Sequence, residues 1–141
     1  MILKPKIIKK KKMDLITIPE NFGKNQLDYI VAEILLNHVI SNQSDPVITY
    51  GELALKIDPD YNPQNLGRYL GNLSEVCKEN GLPLISGIVV NKDTGLPGDK
   101  FYDYFFKERS MSEWINIFEE CKLGVMKCTF WQNLLDAITR R

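Results

Sequence analysis

The fold is decided by VITYGELALKI at residues 47–57, NLGRYLG at residues 65–71 and LPLISGIVVNKDTGLPG at residues 82–98. In the first two segments the apolar residues recur at the three- and four-residue spacing of an amphipathic helix. The third segment begins with a β-rich stretch and continues into NKDTG, whose asparagine, aspartate and glycine favour a turn. We therefore predict a helix-turn-helix followed by a β-hairpin, which would form a wing.

The ends of both helices carry their own signals. Thr49 and Glu52 have the spacing of a capping box, which predicts a helix start at this point. That helix should end near Asp58, because the proline that follows disfavours helical geometry in the residue before it. The dipeptide Asn-Pro at residues 62–63 predicts the next start, and Gly81 fits the left-handed position that closes a helix.

Further helices are predicted on both sides of this unit. The apolar residues between 27 and 39 follow one helix face, with Asn25 as the N-cap. Ser110 and Glu113 form a second capping box ahead of two apolar stripes. We expect Gly124 to separate these stripes into two C-terminal helices.

Together these patterns predict a fold that is mainly α with a small β-hairpin. It is a winged-helix-like helix-turn-helix with extra C-terminal helices. The aromatic run at residues 101–106 is more typical of a core or a lid than of a platform for stacking bases. The C-terminal stripes either cover the helical core or contact a second chain, so the oligomeric state stays open.

Charge is distributed unevenly along the chain. The 18 basic and 18 acidic residues balance, but six of the lysines lie within residues 1–12. Residues 13–141 carry 12 basic and 18 acidic residues, a net charge of −6. We predict a flexible basic arm over residues 1–12 and one domain over residues 13–141. The run Lys9, Lys10, Lys11 and Lys12 is a candidate phosphate-binding segment, and the alternative is a solvated tail.

Thiols and histidine offer little chemistry. Three cysteines without metal-like spacing suit a reducing compartment, and each is expected to fill apolar space. The one histidine, His38, falls on a helix stripe and is expected to bond a carbonyl at the edge of the core. No signal peptide or membrane segment is recognised. We expect a cytoplasmic protein without a metal site or cofactor.

Residues 47–98 resemble the DNA-binding domain of alkylguanine-DNA alkyltransferases and of the catalytically inactive alkyltransferase-like proteins. The order of elements agrees: a capped helix with a tyrosine, a helix with Arg and Leu-Gly, then a proline that leads into a valine-rich strand and a glycine-ended turn. The resemblance implies a winged DNA-binding fold whose partner is DNA.

The resemblance also implies roles for two residues. Tyr50 matches the family tyrosine that presses on the phosphate backbone beside the target nucleotide. Arg68 matches the arginine that enters the duplex in place of a flipped base. Two alternatives remain open: Tyr50 packs on the wing, and Arg68 is a solvated or ion-paired arginine.

The family's reactive centre is missing from this sequence. Members have Pro-Cys-His-Arg, in which the cysteine accepts the alkyl group and the histidine activates it. Here Pro83 is followed by Leu84, Ile85 and Ser86. Leucine and isoleucine supply neither a thiolate nor a base. We therefore expect a protein that is not an enzyme.

Two functions from different classes fit these features. The leading hypothesis is a non-catalytic nucleic-acid-binding module that uses Tyr50, Arg68, the wing residues Asn91 and Lys92, and the basic arm. Its binding should be weak or tethered, because the charges around Arg68 cancel. The alternative is a small protein-interaction module, such as an immunity, anti-restriction or other defence-associated protein, that uses the same fold to bind a protein partner.

Overall fold

Helices dominate the computed structural model, which describes residues 16–140. Six α-helices and two very short strands follow one another in that part of the chain. They are α1 (Gln26–Ser41), β1 (Ile48–Thr49), α2 (Tyr50–Ile57), α3 (Gly67–Glu79), β2 (Val89–Val90), α4 (Asp99–Phe105), α5 (Trp114–Lys127) and α6 (Trp131–Thr139). The predicted class, mainly α with a small β element and extra C-terminal helices, is confirmed. The predicted basic arm lies outside the described residues.

The core is built around α1. The centre of its apolar stripe is fully buried, at Val31, Leu35 and Val39, whereas the other positions of the stripe are half-buried. Helices α3 and α6 pack on it most extensively, with α2 beside them. The side chain of Asn25 accepts a hydrogen bond from the N–H of Leu27, which confirms the predicted N-cap. A second, smaller apolar cluster joins α4 to α5 around Phe101, Tyr102 and Ile117. The aromatic run is therefore mostly core.

The ends of α2 and α3 follow the sequence signals closely. Thr49 and Glu52 form the predicted reciprocal capping box at the start of α2, which ends at Ile57. Gly81 closes α3 with a φ of 69°. The signal at residues 62–63 starts a 3₁₀ turn, Pro63–Asn65, and the α-helix itself begins only at Gly67.

The β element differs from the predicted hairpin in its pairing. Val89 and Val90 pair in parallel with Ile48 and Thr49, and residues 85–88 form a 3₁₀ turn instead of a strand. A hairpin-like loop does follow β2, at residues 91–96. It is closed by hydrogen bonds from the Asn91 N–H to the Leu96 carbonyl (2.9 Å) and from the Gly95 N–H to the Asn91 carbonyl (2.8 Å). We call residues 91–96 the wing loop.

The predicted helix break at Gly124 is wrong. Helix α5 runs through Gly124 to Lys127, and the chain turns at residues 128–130. A Cβ at Gly124 would lie 3.4 Å from Pro83 Cβ. The absence of a side chain at Gly124 therefore lets Pro83 pack closely against α5, and the helix continues through this position.

Candidate nucleic-acid interface

One side of α3 is buried and the other faces solvent. Its inner residues from Tyr69 to Cys77 enter the core, whereas Arg68 and Asn72 are exposed at helical spacing. The Arg68 guanidinium lies 5.9 Å from the centre of the Tyr69 ring, and no carboxylate within residues 16–140 pairs with it. The open alternative of an ion-paired arginine is therefore not what the structure shows.

Two glycines leave open space on either side of Arg68. A Cβ added at Gly67 or at Gly71 would meet no atom within 4 Å. No side chains rise above the helix backbone at these two positions beside Arg68, so a ligand can approach the backbone there. We call the exposed side of residues 64–75 the outer face of α3.

Hydrogen bonds fix α3 against the start of α1. Asp28 is 3% exposed and accepts hydrogen bonds from Asn72 Nδ2 at 2.9 Å and from the Gly23 N–H at 3.3 Å. Asn25 Nδ2 donates to the Tyr69 hydroxyl at 3.1 Å. Asp28 also stands in the first turn of α1, where the helix dipole favours a carboxylate. These contacts hold the outer face in a defined orientation.

Tyr50 is tied to the end of the wing loop. Its hydroxyl accepts a hydrogen bond from the Gly98 N–H at 3.0 Å, and burial raises the pKa of the phenol. A Cβ at Gly98 would lie 3.4 Å from that hydroxyl and 4.0 Å from Asn91 Nδ2. Tyr50 therefore packs against the segment just after the wing loop, and its contact with a phosphate remains a prediction.

The structure brings some of the predicted site residues together and leaves others apart. Tyr50 and Asn91 meet at Gly98, and Asn91 and Lys92 are both exposed. Among the described residues, no hydrogen bond or ion pair joins Arg68 to any of them. The candidate run at residues 9–12 lies outside the described part.

The first described residues contact the end of α3. The Thr17 N–H donates to Asn80 Oδ1 and Asn80 Nδ2 donates to the Thr17 carbonyl, both at 2.9 Å. Asn80 is the residue that follows the last turn of α3. Lys9 lies eight residues before Thr17, so an extended chain spans at most about 29 Å between them. The 13 residues of α3 extend over about 20 Å, which is within that limit.

The segment after Pro83 is covered by other parts of the fold. Leu84 joins the second apolar cluster, and buried Ser86 lies with its hydroxyl 2.6 Å from that of Ser74. A Cβ at Gly87 would lie 2.9 Å from Cys121 Cβ and 3.1 Å from Phe101 Cζ. Helices α4 and α5 therefore occupy the space over this segment. The sequence analysis did not predict that α4 and α5 pack over this segment. The glycines at 87 and 124, which permit the close contacts, were the signal in the sequence.

The thiols and the histidine are held in structural contacts. Burial raises the pKa of Cys77 to about 12 and that of Cys121 to about 11. His38 Nε2 lies 3.1 Å from the Pro46 carbonyl, which can only accept, so this nitrogen carries the proton. Nδ1 then accepts from Asn42 Nδ2 at 3.4 Å. The predicted carbonyl bond of His38 is confirmed.

Charge on the outer face is balanced. Arg68 and Lys78 are offset by Glu75 and Glu79 within the same helix. Glu75 also hydrogen-bonds to Tyr104 of α4, and its carboxylate raises the pKa of that phenol. Tyr104 is 62% exposed beside this face and was not among the predicted site residues.

Three findings complete the description. Within residues 16–140 no group of three or more His, Cys, Asp or Glu side chains is arranged to hold a metal ion. None of the helices in that range is long and apolar enough to cross a membrane. Comparison of the chain with protein-family models, curated proteins and solved structures finds no match.

Proposed function

We propose that this protein is a non-catalytic module that binds duplex DNA through the outer face of α3, as the alkyltransferase-like resemblance implies. The observation that carries the proposal is the exposed Arg68, which has no carboxylate partner among the described residues and stands between two open glycines. An unpaired guanidinium binds phosphates and base edges well.

Arg68 is proposed to fill the gap left by a rotated nucleotide. The low surface at Gly67 and Gly71 lets the helix backbone approach the duplex, so that the long arginine side chain reaches between the bases. Filling the gap offsets part of the cost of unstacking. A damaged or mismatched pair costs least to open, so such duplexes are the preferred ligands.

Tyr50, Asn91 and Lys92 are proposed to contact the phosphate backbone beside that nucleotide. The bond from Gly98 to the Tyr50 hydroxyl fixes the tyrosine against the wing loop. The Tyr50 phenol, together with the exposed amide of Asn91 and ammonium of Lys92 on the wing loop, can hold the duplex in register. Such backbone contacts position a protein without reading sequence.

The basic arm is proposed to supply most of the affinity. The described body is acidic, and release of counterions from phosphates drives non-specific binding. The lysines of the arm are proposed to add the positive charge that α3 lacks. The support is that Thr17, which follows the arm in the sequence, is hydrogen-bonded to Asn80 at the end of α3. Binding without the arm should therefore be weak. We place this function in the cytoplasm, which suits three free cysteines.

The absence of catalysis rests on the segment after Pro83. No thiol or imidazole follows the proline, and Gly87 is packed against Cys121 and Phe101. The Ser86 hydroxyl is hydrogen-bonded to the Ser74 hydroxyl. A second serine is not a general base, so it does not activate Ser86 as a nucleophile. Binding is thus the function that the residues support.

The test is a titration of the whole chain against labelled duplexes with and without one central mismatch. Arg68→Ala should weaken binding to the mismatched duplex about tenfold or more. Arg109→Ala is the matched control, because Arg109 lies outside α3 and is paired with Glu113, and this variant should bind like the native chain. Equal binding of the mismatched duplex by the native protein and the Arg68 variant would contradict the proposal.

A protein-binding role is the second candidate. Met111 and Ile115 lie four residues apart near the start of α5 and are 73% and 62% exposed. Exposed apolar side chains at that spacing suit a protein partner. A chain that binds no duplex at low salt, and whose association with a protein is weakened by Ile115→Glu, would favour this role.

A further inference from the structure

Two exposed amide side chains stand one turn before Arg68. Gln64 and Asn65 belong to the 3₁₀ turn that leads into α3, and both are exposed. They precede Arg68 by four and three residues, the spacing that places side chains on one face of a helix. Within the described chain neither side-chain amide makes a hydrogen bond.

The backbone of this turn is firmly held. The Gln64 N–H donates to Asn62 Oδ1 at 3.0 Å, and the Asn65 N–H donates to the Asn62 carbonyl at 3.0 Å. Pro63 restricts the turn further, and Leu66 anchors it with a fully buried side chain. The two amides therefore project from a fixed support, which lowers the entropy that they lose on binding.

Their chemistry suits bases better than phosphates. A primary amide offers two N–H donors and a carbonyl acceptor, whereas the turn at residues 63–65 has no cationic side chain. Phosphates carry no sequence information, but base edges differ in their donors and acceptors. An amide pair next to Arg68 is therefore placed to read neighbouring bases.

The preferred base pair follows from the hydrogen-bond pattern of the major groove, which receives the second helix of a helix-turn-helix. There, Asn and Gln bond both N6 and N7 of adenine, whereas guanine presents two acceptors, O6 and N7. We propose, resting on the function proposed above, that Gln64 and Asn65 select A·T pairs beside the nucleotide that Arg68 displaces.

The test compares two duplexes that share one central mismatch and differ in the pairs on either side of it, A·T or G·C. The native chain should prefer the A·T-flanked duplex by about fivefold to a hundredfold, the range of one good amide contact to a base. The double variant Gln64→Ala, Asn65→Ala should lose most of this preference, keeping only the part that comes from the easier opening of A·T-flanked mismatches, and its salt dependence should not change. The second Gln-Asn pair, at residues 132 and 133 on α6, supplies the control variant Gln132→Ala, Asn133→Ala, which should retain the native preference.

The control separates the protein's choice from the ease with which DNA opens. A·T-flanked mismatches are easier to open, so part of any preference belongs to the DNA. A preference as large in the Gln64, Asn65 double variant as in the native chain overturns the inference. Equal native binding to both duplexes also overturns it, while the proposed function stands. No binding to either duplex at low salt overturns the inference and the proposed function together.

Discussion

Replacement of Gly87 by alanine tests whether α5 is seated on the segment after Pro83. The new Cβ would lie 2.9 Å from Cys121 Cβ, 3.1 Å from Phe101 Cζ and 3.2 Å from Cys121 Sγ. The first atom is attached directly to the backbone of α5, so relief requires the helix itself to move. Overpacking of this kind costs about 1–3 kcal/mol, and we expect the upper half of that range.

Urea unfolding followed by circular dichroism measures this cost. With a urea dependence of about 2 kcal/mol per molar, a loss of 2 kcal/mol lowers the midpoint by about 1 M. Gly71→Ala is the matched control, because its Cβ meets open space within α3. That change should stabilise the protein by about 0.5–1 kcal/mol, as an alanine does in place of a helical glycine.

A double-mutant cycle locates the strain. Cys121→Ala removes the sulfur at 3.2 Å but leaves the Cβ at 2.9 Å, so it should recover only part of the loss caused by Gly87→Ala. An unchanged midpoint for Gly87→Ala, alongside the expected rise for Gly71→Ala, would show that α5 does not cover this segment.

Three further changes probe the site and its supports. Tyr50→Phe leaves the Gly98 N–H without its acceptor and should lower the free energy of unfolding by about 1 kcal/mol; an unchanged midpoint would argue against that bond. The capping box lowers the pKa of Glu52 below its ordinary 4.5, so its stabilisation is present above that pH and lost as the pH falls through the folded-state pKa. The stability gap between native protein and Glu52→Gln should therefore shrink in acid, and a gap that grows there would contradict this. Burial raises the pKa of Cys77 to about 12, so a thiol reagent at pH 8 should modify Cys77 only on unfolding, as mass spectrometry with and without denaturant would detect.

Local signals predicted the helix ends because the interactions lie within a few residues. The caps at Asn25 and Thr49 are hydrogen bonds to the first turn of the helix that follows. The exposure of Arg68 likewise follows from the apolar spacing of its own helix. These features were accessible from the sequence.

The remaining features depend on partners far along the chain. The β-rich residues after Pro83 predicted a strand, but residues 85–88 form a 3₁₀ turn, which accompanies the contact between Ser86 and Ser74 of α3. The partner of β2 is β1, which is separated from it in the sequence by α2 and α3. Gly124 resembles a helix break in isolation, and only the position of Pro83 explains it. Periodicity and turn propensity do not contain such contacts.

The central claim is that the outer face of α3 and the basic arm bind duplex DNA together. The most direct measurement is the fluorescence anisotropy of a labelled duplex with one mismatch, titrated with the whole chain across a salt series. We predict binding at low salt whose logarithm falls linearly with the logarithm of salt, with a slope reduced by up to about 5 when the six lysines of residues 1–12 are removed. Arg68→Ala should weaken binding without a comparable change of slope. No binding at the lowest salt, or full binding by both the Arg68 variant and the chain without its arm, would contradict the claim.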